Sequence, residues 1–145
     1  VLRKTGVESR FLELELTERA VMTDMDRTVE TMSRVGKLGV KFAVDDFGTG
    51  YSSLSYLRHL PLDKLKIDKS FIQDLATDES DREISNSVIQ LAHSLHLSVV
   101  AEGVETQQQM AILLGQGCDG AQGYLFGRPM PPHEFAAFLH AARTV

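Results

Sequence analysis

Val40-Lys41-Phe42-Ala43-Val44-Asp45-Asp46 runs apolar and then ends on two carboxylates. Four further segments share this plan: Phe11–Glu15, Lys64–Asp68, Ser98–Glu102 and Asp119–Gln122, with helical patterns between most of them. Strands alternating with helices through brief connections form a parallel sheet, and in a parallel α/β barrel the site gathers at the carboxyl ends of the strands. Glu15, Asp45, Asp46, Lys66, Glu102 and Gln122, dispersed along the chain, would then converge on one mouth. Carboxylates with one lysine and one amide point to a metal site acting on an anionic substrate.

Outward from that stretch, Phe11-Leu12-Glu13-Leu14-Glu15-Leu16 alternates with period two, so Glu13 and Glu15 share a strand face. The pattern Met25, Val29, Met32 and Val35 predicts a helix from about Asp24 to Leu38, capped by Thr23 and stopped at Gly39. The glycines and small polar residues from Asp46 to Ser53 mark a loop, and a short helical piece over 53–59 leads to Pro61. Ile84, Val88, Leu91 and Leu95 predict a helix from about Glu79 to Leu95. Leu97–Ala101 reads as a strand buried on both faces. Thr106 caps a helix to about Leu114, a short strand lies near Cys118–Gln122, and Pro131 and Pro132 introduce a last helix with Phe135, Phe138 and Leu139 inward.

The chain has 145 residues, enough for one domain with a substantial core. With 15 basic and 20 acidic residues, its net charge of −5 argues against binding a nucleic-acid backbone. No apolar run approaches the ~20 residues needed to cross a bilayer, and the single Cys118 can form no internal disulfide, which suits a cytoplasmic location. An eight-stranded barrel needs about 250 residues, so the five strands predict roughly 100 further residues upstream with the missing N-terminal strands. His59, His93, His96, His133 and His140 show no pattern of metal ligation, and Cys118 reads as packed rather than reactive.

Neighbouring carboxylates repel by ~4 kcal/mol at 4 Å and an effective dielectric near 20. Several at one mouth therefore require protons or cations. All-oxygen ligands suit Mg²⁺ or Mn²⁺ better than zinc. Adjacent aspartates can serve two ions, one bridging and one terminal, as in two-metal phosphodiester hydrolysis.

The words around these residues are more specific. Leu14-Glu15-Leu16-Thr17-Glu18 is followed by Asp45-Asp46-Phe47-Gly48-Thr49-Gly50-Tyr51-Ser52-Ser53-Leu54, then Leu65-Lys66-Ile67-Asp68, Ala101-Glu102-Gly103-Val104-Glu105-Thr106 and Gln122-Gly123-Tyr124-Leu125-Phe126. In this order and spacing they resemble the EAL-domain family of cyclic di-GMP phosphodiesterases from about Phe11 to Phe138. The Glu-Ala-Leu motif that names the family does not occur in the chain. The resemblance thus implies that residues 1–145 are the C-terminal part of an EAL domain: five βα-type units of a TIM-like (β/α)8 barrel.

The resemblance also implies roles. Glu15 and Asp45 would be metal ligands with Asp45 the bridge, Asp46 would complete the second site, and two Mg²⁺ or Mn²⁺ ions would be bound. Lys66 would hold the attacking water and a phosphate oxygen, while Glu102 would ligate metal or take a proton. Gln122 would lie near metal and substrate, Asp68 would support the ligands, and Arg128 and Pro129 would contact guanine or phosphate. Glu18 would anchor the loop Phe47–Ser53, which is associated with homodimer contacts. The expected activity of the complete protein is hydrolysis of cyclic di-GMP, a bacterial second messenger, to linear pGpG, with this chain inactive alone. The alternative is a degenerate member that binds the nucleotide or a protein without turnover. Asp46-Phe47-Gly48 also matches a protein-kinase motif, but no Gly-x-Gly-x-x-Gly or His-Arg-Asp precedes it, which excludes that reading.

Overall fold

The computed structural model describes residues 2–17, 20–21, 24–48 and 57–142. A short helix α1 (Leu2–Thr5) and a 3-10 turn (Ser9–Phe11) lead into β1 (Glu13–Thr17). Then follow α2 (Met25–Gly36), β2 (Lys41–Phe47), β3 (Lys64–Ile67), α3 (Ser70–Gln73), α4 (Glu79–Ser94) and β4 (Ser98–Ala101). The chain continues with α5 (Gln107–Gly115), β5 (Gly120–Ala121) and α6 (Pro132–Ala142). The five strands lie in sequence order and every neighbouring pair is parallel. This succession is part of a TIM-like (β/α) barrel, as the alternation of patterns predicts.

The helix ends follow from local chemistry. Asp24 caps α2 by accepting from the Arg27 amide at 3.2 Å, and Gly39, at φ 87°, turns the chain away after it. Thr23, the cap expected from sequence, lies outside the described residues. Asp78 caps α4 through the amides of Ser80 and Asp81, and Thr106 and Gln109 form a capping box at the start of α5.

Two unlike faces result from strand alternation. Phe42, Val44, Leu65, Ile67, Val99 and Ala101 point to the helix side and are buried with Met32, Val88, Ile89 and Ala92. The opposite face carries Glu13, Glu15, Asp45, Lys64 and Lys66. There Lys64 pairs with Glu13 at 2.7 Å, one layer below Lys66 and Glu15.

Aspartates fix the amino ends of the strands. Asp63, just before β3, accepts the Phe42 amide at 3.0 Å and pairs with Lys41 at 2.5 Å. Asp119, just before β5, accepts the Val99 amide at 2.8 Å and contacts His93 Nε2 at 2.9 Å.

Some boundaries differ from those expected. Phe11 belongs to the 3-10 turn and is exposed, because the Glu8 carbonyl accepts its amide before β1 pairing begins. The helix Ser70–Gln73 was not legible in the sequence. The piece over 53–59 falls largely outside the described residues. Phe135, Phe138 and Leu139 are 48%, 42% and 47% exposed rather than turned inward. Phe135 and Phe138 instead stack on each other and line a cavity with the segment that follows β5.

Leu65 lies at the centre of β3 with no exposed surface. Leu65→Ala is expected to cost about 2–5 kcal/mol through lost burial and a residual cavity. Equilibrium urea unfolding of the intact protein measures it. A loss below about 1 kcal/mol would mean that this layer is not the closely packed core described here.

Candidate metal and catalytic site

Lys66 stands at the centre of the carboxyl ends. Only 5% of it is exposed, and its ammonium lies 2.8 Å from Glu15 Oε1, 3.1 Å from Asp45 Oδ1 and 2.5 Å from Glu102 Oε1. These partners come from β1, β2 and the residue after β4, so strand order brings them together from distant sequence positions. Burial by itself would lower the pKa of this lysine. The carboxylates of Glu102, Glu15 and Asp45 outweigh that effect and hold it well above its ordinary value.

Asp45 and Asp46 are adjacent, and in a regular strand they would face opposite sides of the sheet. The register shows how both serve one site. Val44 pairs with Leu65 and Phe47 with Ile67, so β2 carries one extra residue across this interval. Asp46 adopts φ 54°, a left-handed conformation that aspartate tolerates better than most residues. With this bulge, carboxylate oxygens of Asp45, Asp46 and Glu102 lie within 4.8 Å of one another. Sequence reasoning missed the bulge, although the doubled aspartate at a strand end was its available signal.

The donor set fits a hard divalent cation. It consists of carboxylate oxygens alone, and the buried Asp45 Oδ1 has no hydrogen-bond partner beyond its 3.1 Å ion pair with Lys66. Asp46 has its carboxyl raised above the usual range by burial and by repulsion from Asp45 and Asp68, against the opposing pull of Lys66. Asp68 is shifted the other way. Burial would raise it, but hydrogen bonds from Ser70 and Lys69 hold it low, including the Ser70 amide at 2.9 Å.

Backbone bonds continue the ladder past the strand ends and place the loops. The Glu102 amide donates to Ile67 O at 3.1 Å, Gln122 N to Ala101 O at 2.8 Å, and Val104 N to Gln122 O at 3.0 Å. Gly123 allows that last approach, since a Cβ there would collide with the Val104 backbone. Gln122, Arg128 and Pro129 line one cavity of about 540 Å³ with Tyr124 and Phe126. The Arg128 guanidinium lies 4.5 Å from the centre of the Tyr124 ring. Glu18 and residues 49–53 of the loop it was expected to anchor lie outside the described residues. His93 is engaged by Asp119 at the other end of the sheet, and Cys118 is packed, with burial pushing its thiol pKa up.

An EAL-domain family model matches residues 1–129. The chain belongs to the EAL-domain family. The cyclic di-GMP phosphodiesterase NbdA of Pseudomonas aeruginosa is 52% identical over 142 residues, which cover 98% of this EAL chain and 18% of NbdA. The solved Pseudomonas aeruginosa PaMucR phosphodiesterase, in complex with c-di-GMP, superimposes with a TM-score of 0.88 at 44% identity, over 92% of this chain and 54% of that one. Klebsiella pneumoniae BlrP1, solved with manganese and cyclic di-GMP, gives a TM-score of 0.82 at 36% identity, over 88% of this chain and 33% of that one. The chain therefore spans under a fifth of NbdA and about half or less of these two solved chains. Among the described residues, no helix is long and apolar enough to cross a membrane.

Replacing the buried ammonium tests the electrostatics directly. Lys66→Met leaves Glu15, Asp45 and Glu102 crowded without their shared cation. Breaking a buried pair in this way typically costs about 3–5 kcal/mol. The loss should be largest without divalent ions and shrink when Mn²⁺ is added, because a ligand that binds only the folded state stabilises it. Urea unfolding with and without Mn²⁺ reads both effects; a loss independent of Mn²⁺ would separate the cluster from metal binding.

Proposed function

We propose that the intact protein carrying this chain is a cyclic di-GMP phosphodiesterase that opens one phosphodiester bond to give linear pGpG, using two Mg²⁺ or Mn²⁺ ions. The observation that carries this reading is the acid cluster itself: Asp45 Oδ1 is buried without a hydrogen bond, and carboxylate oxygens of Asp45, Asp46 and Glu102 lie within 4.8 Å of one another. Glu15, Asp45, Asp46 and Glu102 would hold the ions. Bound there, the cations would supply an acidified water and offset the charge on the phosphate.

The chain's own groups account for the rest. Lys66 is held charged and can donate to the attacking water and to a phosphate oxygen. Glu102 accepts the water's proton as the new O–P bond forms. The P–O bond to the leaving sugar oxygen then breaks, and that oxygen takes up a proton. Gln122, Arg128 and Pro129, which share one cavity, would contact guanine or phosphate, and Asp68 would steady the neighbouring carboxylates. In this reading residues 1–145 are the C-terminal part of the barrel, Glu18 anchors the loop after Asp46, and that loop with neighbouring helices joins two copies in a homodimer.

The deciding experiment is hydrolysis of cyclic di-GMP by the intact protein with Mn²⁺ or Mg²⁺, beside equilibrium binding of the nucleotide. Turnover supports the proposal; binding without turnover would instead make the protein a receptor.

Asp45→Asn and Asp46→Asn should each lower hydrolysis by orders of magnitude. Their stabilities should nevertheless behave differently from their activities. A carboxyl whose folded pKa is raised opposes folding once it ionises. Asp46→Asn should accordingly melt at the same temperature as the unmutated protein or higher. Normal activity at limiting metal in either variant would remove that residue from the site.

Lys66→Ala should reduce kcat far more than nucleotide affinity, because its bond to the phosphate develops mainly as attack proceeds. Single-turnover hydrolysis measured beside binding separates the two. A large affinity loss with an unchanged single-turnover rate would reassign Lys66 to substrate binding.

A further inference from the structure

We propose that Gln109, on α5 and outside the acid cluster, is a positioning residue that sets the placement of Glu102 relative to Lys66. Only 5% of Gln109 is exposed, and its side-chain amide bonds in two directions. Its Oε1 accepts from the amides of Glu105 at 2.8 Å and Thr106 at 2.9 Å. Its Nε2 donates to the carbonyls of Ile72 at 2.9 Å and Gln73 at 3.1 Å. The first pair belongs to the loop that carries Glu102. The second belongs to α3, which follows β3 and Lys66.

One buried amide thus ties together the two segments that continue from the two groups. The segments also touch without it: Gly103, at φ 70°, leaves room for Lys69, whose Cβ would lie 2.6 Å from a Cβ at that position. Only an amide satisfies both sides. A carboxylate keeps the acceptor half but faces two carbonyl oxygens, and an apolar isostere removes the acceptor of the Glu105 and Thr106 amides and the donor to the Ile72 and Gln73 carbonyls. Capping of α5 explains the bonds to Glu105 and Thr106. It does not explain those to Ile72 and Gln73.

The inference rests on the reading of Glu102 as part of a hydrolytic metal site, and the experiment separates the two. Gln109→Glu and Gln109→Met are compared with Gln116→Met in the intact protein. Gln116 makes a similar link at the opposite end of α5, donating to Arg82 O at 2.9 Å and accepting from Ser85 Oγ at 3.0 Å. Both Gln109 variants should lower kcat and Mn²⁺ affinity by about 10–100-fold, the usual effect of losing a group that orients a ligand, with KM little changed. Gln116→Met should lower the melting temperature while keeping kcat and Mn²⁺ affinity.

Hydrogen exchange adds a readout that needs no variant. The Glu105 and Thr106 amides of the unmutated protein should exchange as slowly as those of β4. Exchange at the rate of an open loop would overturn the proposal, as would Gln109→Met matching Gln116→Met in both kcat and Mn²⁺ affinity. Failure of the unmutated protein to hydrolyse cyclic di-GMP would overturn the hydrolase reading instead. The positioning role would then be judged by Mn²⁺ affinity and amide exchange.

Discussion

The ammonium of Lys66, shared among carboxylates from β1, β2 and the end of β4, is the interaction on which the site depends. Removing a lysine from water is costly, and pairing offsets that cost only when the geometry is good. Here the geometry comes from the sheet: parallel strands in sequence order bring groups distant along the chain to the same height. The apolar side provides the rigidity. Leu65 and Ile67, flanking Lys66, point to the helix side and are wholly buried, so β3 cannot rotate the lysine away without exposing both. One ammonium among several carboxylates leaves the mouth negative, and that surplus charge is what suits it to cations.

A second constraint is geometric. Alternation allows a strand to offer only every other side chain to a face. Placing Asp45 and Asp46 beside the same Glu102 therefore requires a break in the ladder. The extra residue in β2 and the left-handed Asp46 provide it. Backbone strain of this kind persists only where the surroundings enforce it. In this structure it coincides with the residues of the acid cluster.

Most of the architecture was legible because it depends on periodicity. Val40–Asp46 and Lys64–Asp68 read as strands from their apolar runs, and Met25, Val29 and Met32 read as a helix from their spacing. The strand-end convergence of Glu15, Asp45, Lys66 and Glu102 followed from topology alone. What escaped depends on tertiary context. The helix Ser70–Gln73 is too short to show a period, and the exposure of Phe135 and Phe138 depends on which elements pack against the last helix. Gln109 stands in the polar run Gln107-Gln108-Gln109. Only the fold reveals that its amide reaches Ile72 and Gln73, 37 and 36 positions away.

Aspartates lie at both ends of this sheet, and hydrogen-bond accounting tells their roles apart. Asp63 and Asp119 sit at the amino ends, where each accepts a neighbouring strand's amide and contacts a basic side chain. Hydrogen bonds from His93 and Val99 hold the Asp119 carboxyl low, so its ionised form is stabilised by the fold itself. That is the signature of a carboxylate whose work is structural. At the carboxyl ends the balance is reversed: Asp45 keeps a buried oxygen without a hydrogen bond, and Asp46 is pushed up by burial and by neighbouring acids. The same side chain thus joins strands at one rim and is crowded by other acids at the rim where strands converge. A parallel α/β barrel places stabilising residues at one rim and chemistry at the other, and here the carboxylates themselves record that division.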